Sequence, residues 1–275
     1  HFYRAGGQLT EDQFTDQLIN EFEAKITEIG ADKVGAFFAE PIQASGGVLV
    51  PPNDYLKRMW EVCQKYDILF VADEVVTAFG RLGHFFSIEA EFDIIPDIII
   101  SAKGLSSGYL PMGAMIYSDR IHDVISQGDD NRWFASGFTY SGHPVCCAAA
   151  LKNIEIMERE NLMQNATEVG MYFEEQLHTL NDLEIVGNVR GKKLMMCVEN
   201  VKDKITKELL PDEVNIGKRI SNAAENMGLL VRPIGHLNVM SPPLTLTREN
   251  VDFLVKTLRA AIEQVTSELK AEGHI

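Results

Sequence analysis

The sequence predicts an α/β protein, a mostly parallel sheet followed by a smaller α+β domain. Short, nearly all-apolar runs within residues 34–42, 68–71, 98–100 and 112–117 alternate with stretches of helical periodicity. Such strands belong to a sheet covered on both faces by helices. From Pro144 onward the pattern changes to long helical stretches separated by short strand-like runs.

Thr10 and Gln13 form a capping-box pattern, after which Phe14, Leu18, Phe22, Ile26 and Ile29 recur at helical spacing until Gly30. The first buried strand runs over 34–42 and ends at Glu40-Pro41. Gly46, Gly47, Pro51 and Pro52 mark a loop, and Asn53 is placed to cap a helix carrying Leu56, Trp60 and Cys63. The second strand ends in Ala72-Asp73-Glu74 and the third in Ser101-Ala102-Lys103-Gly104. His143-Pro144 reads as the start of a helix reaching about Glu160, and a second runs over 162–180. A strand at 194–198, a helix ending at Gly228, short strands near Leu230 and Val239, and a last helix from about Thr247 complete the reading. The predicted division is 1–158, the later part of a large domain with its connecting helix, and 159–275, a small C-terminal domain.

Composition limits function. Hydrophobic residues are 45% and charged residues 24%, the balance of an ordinary globular protein. The formal charge is −15, which repels phosphate backbones and anionic lipid, so neither nucleic acid nor membrane is an expected partner. No apolar stretch approaches the roughly 20 residues of a membrane helix. The cysteines are Cys63, Cys146, Cys147 and Cys197, with no Cys-x-x-Cys pair. Free thiols in a reducing, cytoplasmic compartment fit this usage.

Glu40, Asp73 and Lys103 follow the ends of three buried runs, where ligands gather in such sheets. Each alone is more often a polar residue of an ordinary loop. The run into Asp73-Glu74 also fits a Walker-B-like strand holding Mg²⁺ for nucleotide hydrolysis, but no Gly-x-x-x-x-Gly-Lys-Ser/Thr loop accompanies it. Pyridoxal phosphate chemistry needs a lysine to hold the aldehyde and a carboxylate to keep the pyridine nitrogen protonated. Lys103 and Asp73 suit those two tasks.

At this point the sequence resembles the class III pyridoxal-phosphate aminotransferases of fold type I. The matching stretches are Glu40-Pro41-Ile42-Gln43, Ala72-Asp73-Glu74-Val75, Phe79-Gly80-Arg81, Ser101-Ala102-Lys103-Gly104 and Pro111-Met112-Gly113-Ala114. Gly137-Phe138-Thr139-Tyr140-Ser141-Gly142-His143-Pro144, Val231-Arg232-Pro233 and Pro242-Pro243-Leu244 follow. Their order and spacing agree along almost the whole chain, most closely with the ω-amino-acid:pyruvate and amine:pyruvate branch.

The resemblance implies that Lys103 is the Schiff-base lysine and proton carrier, and that Asp73 pairs with the pyridinium nitrogen. It implies Val75 against one ring face and Glu40 beside the ring. Thr139 would reach the cofactor phosphate of a neighbouring subunit, which makes a homodimer the smallest functional unit. Arg232 would bind the carboxylate of a keto acid such as pyruvate and swing aside for an apolar amine. No metal site is implied. Tyr109 and Trp133 either line a substrate tunnel or pack. Other enzymes of the same scaffold, a decarboxylase or an aminomutase, and an inactive fragment are the alternatives.

Two departures stand out. Val76 occupies the place where many relatives carry Gln, and Ala44-Ser45 replaces a usual Gly-Ala. Family members also begin roughly one domain's length earlier. The backbone loop that holds the phosphate and the aromatic residue that stacks on the ring belong to that earlier part. The chain is therefore expected to be the C-terminal part of such an enzyme and to hold the cofactor weakly by itself.

Overall fold

The computed structural model describes residues 1–128 and 131–275. Two four-stranded sheets organise them. After a short helix α1 (Phe2–Ala5), α2 (Glu11–Ile29) starts at Thr10, whose hydroxyl accepts from Gln13 N while the Gln13 side chain accepts from Thr10 N. Both halves of the capping box form as the sequence predicts.

The first sheet is β1 (Ala36–Ala39), β2 (Leu69–Asp73), β3 (Ile98–Ser101) and β4 (Ala114–Tyr117), in that spatial order. β1, β2 and β3 run parallel and β4 antiparallel. Helices α3 (Tyr55–Lys65) and α4 (Ser87–Phe92) are the crossovers, and α5 (Asp119–Ile125) follows β4. Because β1, β2 and β3 advance in one direction, right-handed crossovers place their helices on one face. Phe37, Phe70, Ala72 and Ile99 pack there against Ile19, Leu56 and Met59.

The expected cover on both faces is not what forms among the described residues. On the opposite face Phe38 is 63% and Met115 45% exposed. Helix α3 also begins one residue later than predicted, with Asp54 rather than Asn53 at the N-cap position, in the left-handed region and with no capping hydrogen bond from its side chain. The Asn53 backbone is committed to α2, its N–H donating to Glu11 and its carbonyl accepting from Thr15.

Helix α6 (Pro144–Arg159) starts at His143-Pro144 as predicted and leads into α7 (Leu162–His178). The second sheet has the order β5 (Val186–Lys192), β6 (Met195–Asn200), β8 (Leu237–Met240), β7 (Arg232–Ile234), all antiparallel. Helices α7, α8 (Ile216–Asn226) and α9 (Arg248–Glu272) pack on it through Phe173, Ile220, Leu258 and Ile262. Strand β5 escaped the sequence reading because two glycines, an asparagine and an arginine interrupt its pattern. Gly191 is required there: at φ +138° an added Cβ would lie 2.1 Å from the Met195 carbonyl oxygen.

Candidate active site

The parallel register brings the three strand-end residues to one edge. Asp73 closes β2 and pairs with Ile100 of β3, Lys103 lies three residues beyond Ile100, and Glu40 follows the last residue of β1. Asp73 shares its sheet face with Ile100 and Met115, the face free of crossover helices.

Each residue is fixed locally. Asp73 is half-buried, and its Oδ1 accepts from Val75 N at 3.1 Å. The Glu40 Oε2 accepts from Ala44 N at 2.9 Å, folding the following loop back on the strand end. Glu40, Gln43, Phe38 and Asp73 line one cavity of about 630 Å³. Lys103 opens a single 3-10 turn, exposed, with a left-handed φ of +38°. Such a backbone costs roughly 1–3 kcal/mol and persists only when its surroundings hold it. Here Asn153 of α6 donates to the carbonyls of Gly104 and Leu105 at 2.9 and 3.0 Å. Gly104 also sits where a Cβ would come within 2.9 Å of Phe79.

These residues fit pyridoxal phosphate by the chemistry of the donor set. A carboxylate suits a ring N–H, a primary amine suits an aldehyde carbon, and adjacent parallel strands present the two at one sheet edge. Asp73 and Val75 are half-buried beside one another. Neither Lys103 nor Val75 is part of the lining of the cavity that holds Glu40 and Asp73, and the other residues named from the sequence lie farther away in the fold. Thr139 is in the exposed segment 131–142, alongside Phe138 at 86% exposure, and is not part of the cavity lining. Arg232 is exposed at the start of β7 in the second sheet. Tyr109 and Trp133 are 82% and 65% exposed, so neither packs in a core.

Glu74 does not suit the metal-nucleotide reading. It is buried, and its carboxylate accepts from Ile88 N at 2.7 Å and Thr77 Oγ1 at 2.8 Å, tying down the start of α4. Burial raises its pKa against the opposing hydrogen bonds. A carboxylate turned inward and saturated in this way is not placed to polarise a water.

Two arginines join the sheets, and neither had a role in the sequence reading. Arg81 donates from one terminal nitrogen to the carbonyls of Leu194, at 3.0 Å, and Pro242. Arg190 donates to Gly47 O at 2.9 Å, to Asn188 and to Glu199. Glu199 is buried, and Arg4 reaches it as well. Burial alone would raise the Glu199 pKa, but His236 and the two arginines outweigh it and bring it down to about 2. Gly47 belongs to the loop that follows Glu40, so this buried charge cluster reaches the strand end. Arg81 stood in the Phe79-Gly80-Arg81 motif, which was the available signal; Arg190 and Glu199 carried none.

A family model described as Aminotransferase class-III matches residues 3–262. A putrescine–pyruvate aminotransferase of Pseudomonas aeruginosa is 38% identical over 272 residues, covering 98% of this chain and 59% of the relative. An (S)-enantioselective omega-transaminase from Thermomicrobium roseum has a TM-score of 0.92 at 42% identity, over 96% of this chain and 58% of that one. An aminotransferase from Vibrio fluvialis solved in a PMP-bound form has a TM-score of 0.91 at 38% identity, over 98% and 60%. The chain thus spans about three-fifths of the length of these relatives.

Proposed function

We propose, for a chain that belongs to the class-III aminotransferase family, that the protein moves an amino group from an amine or ω-amino acid to a keto acid such as pyruvate. One observation carries the reading: Asp73 and Lys103 leave adjacent parallel strands of one register at the same sheet edge. The similarity to a putrescine–pyruvate aminotransferase and to an omega-transaminase supports the substrate class.

When bound, pyridoxal phosphate supplies an electron sink for the bond broken at the amine-bearing carbon. The Asp73 carboxylate accepts the ring N–H and keeps that nitrogen protonated. Lys103 Nζ takes the proton from the amine-bearing carbon and later returns one to the keto acid's carbon. The Val75 side chain packs on a ring face, and Glu40 orients groups at its edge. The Arg232 guanidinium takes the keto acid's carboxylate by two parallel N–H···O bonds and leaves the pocket when the partner is an uncharged amine. Thr139 donates its hydroxyl to the phosphate in a neighbouring subunit, so the working unit is a homodimer. Its exposed position supports that role.

In this reading, residues 1–158 belong to the cofactor-binding domain and 159–275 to the small domain. The four free cysteines support a reducing, cytoplasmic setting. No described helix is long and apolar enough to cross a membrane.

The test is direct. The protein expressed from its own reading frame is incubated with pyridoxal phosphate, reduced with borohydride and mapped by mass. A pyridoxyl label on Lys103, with amine-dependent conversion of pyruvate to alanine, is the expected result. A label on another lysine, or none, refutes the assignment.

A further inference from the structure

Strands β6 and β8 are neighbours, with Met196 opposite Met240. Leu194 comes just before β6 and Pro242 just after β8, so the register brings their carbonyls to the same end of the ladder. Arg81 crosses from the first sheet and bonds to both. Both contacts are neutral backbone oxygens, although burial lowers the Arg81 pKa to about 10. The adjacent Gly80 fits the same seam at φ +91°, where a Cβ would come within 2.6 Å of Leu244. On the far side, Asn165 of α7 donates to the carbonyls of Leu244 and Leu246 at 2.7 and 3.1 Å. The strand exit at 242–246 is thus gripped from two sides.

What hangs from this seam is Arg232. Strand β7 has one neighbour, β8, and Arg232 pairs with Val239, three residues before Pro242. The Arg232 backbone therefore takes its place from β8; Leu237 and Val239 of β8 pack on Ile42, Val48 and Leu82, and Arg81 fixes the strand exit that follows. A buried arginine spent on two carbonyls is a demanding way to close a seam, because a guanidinium left without its acceptors in a buried site is costly. That demand makes the geometry nearly all-or-none: the strand end is seated on Arg81 or it is not.

We infer that Arg81 is a positioning residue that sets the reach of Arg232 toward the substrate carboxylate by locking the β6–β8 strand ends to the first sheet. The inference rests on the proposed function and adds a separate element to it. A seam that served stability alone would, when cut, impair both half-reactions together. A seam that positions Arg232 discriminates between partners with and without a carboxylate.

The experiment compares Arg81→Met with the parent in the protein loaded with pyridoxal phosphate. The KM for pyruvate is expected to rise roughly tenfold, the scale of one lost charge-assisted hydrogen bond. The kcat/KM for butylamine in the first half-reaction is expected to stay within about twofold. Affinity for propionate, an unreactive carboxylate read by calorimetry, is expected to fall in step with pyruvate. Combining Arg81→Met with Arg232→Lys is expected to add little for pyruvate beyond Arg232→Lys alone. Should Arg81→Met fail to fold, Asn165→Ala releases the same segment from its other side and is expected to show the same split. Equal losses for pyruvate and butylamine, unchanged propionate affinity, or full additivity with Arg232→Lys would each overturn the inference. An active parent with any of those results sinks this inference alone, whereas an inactive parent sinks the proposed function along with it.

Discussion

The two sheets solve the problem of burial differently. Every residue of β6 and β8 is buried, and three helices close over the second sheet. In the first sheet most strand residues are only half-buried, and the face that carries Asp73 also exposes Phe38. The second sheet is a closed core, with helices on one face and Ile42, Val48 and Leu82 against Met195, Cys197, Leu237 and Val239. The first is a half-covered platform whose strand ends carry the proposed site residues Glu40, Asp73 and Lys103. Substitutions in the two should therefore fail in different ways.

The largest effect is expected at the platform. Lys103→Ala should lower transamination by roughly four orders of magnitude, the upper range of general acid–base catalysis, measured as alanine formed from pyruvate. The thermal midpoint should stay close to the parent's or rise, because the substitution touches no core residue. A matching fall in stability would blur the contrast between the sheets. Next comes the closed core. Phe173 is fully buried under the second sheet, and Phe173→Ala should cost about 3–5 kcal/mol in urea unfolding.

The buried cluster joining the sheets gives a pH signature. The Glu199 pKa is held at about 2 in the folded protein, below its ordinary value of 4.5. A lowered carboxylate pKa gives stability that is fully present above the unfolded value and is lost as pH falls through the folded value. That stability is lost progressively as pH falls from about 5 to about 2. Unfolding midpoints followed across that range should fall steeply for the parent, and less steeply for Glu199→Gln. Parallel curves would remove Glu199 from the account. The smallest effect sharpens the platform's edge: Thr10→Ala removes the α2 cap and should cost about 1 kcal/mol, with pyruvate turnover unchanged.

Much of this is legible in the sequence. The capping box at Thr10, the start of α6 at Pro144, the apolar strands and the residues just past their ends all follow from local patterns. So does the order of motifs, since motif spacing is a property of the chain. Strand β5 was not legible, because its glycines and polar residues form a strand only when β6 pairs with it. The open face of the first sheet was not legible either. All-apolar strands announce burial, but which face is covered depends on the handedness and direction of the crossovers.

The sequence by itself determined most of the helices, the apolar strands, the residues that follow their ends and the family to which the motifs belong. Only the tertiary structure decided that Glu74 turns inward to hold α4 while its neighbour Asp73 remains at the cavity. It alone assigned Arg81 and Arg190 to carbonyls 113 and 143 residues away in the chain. The physical reason is range. Periodicity and capping act over one or two turns of backbone, whereas a buried guanidinium finds its partners only after the sheets have come together.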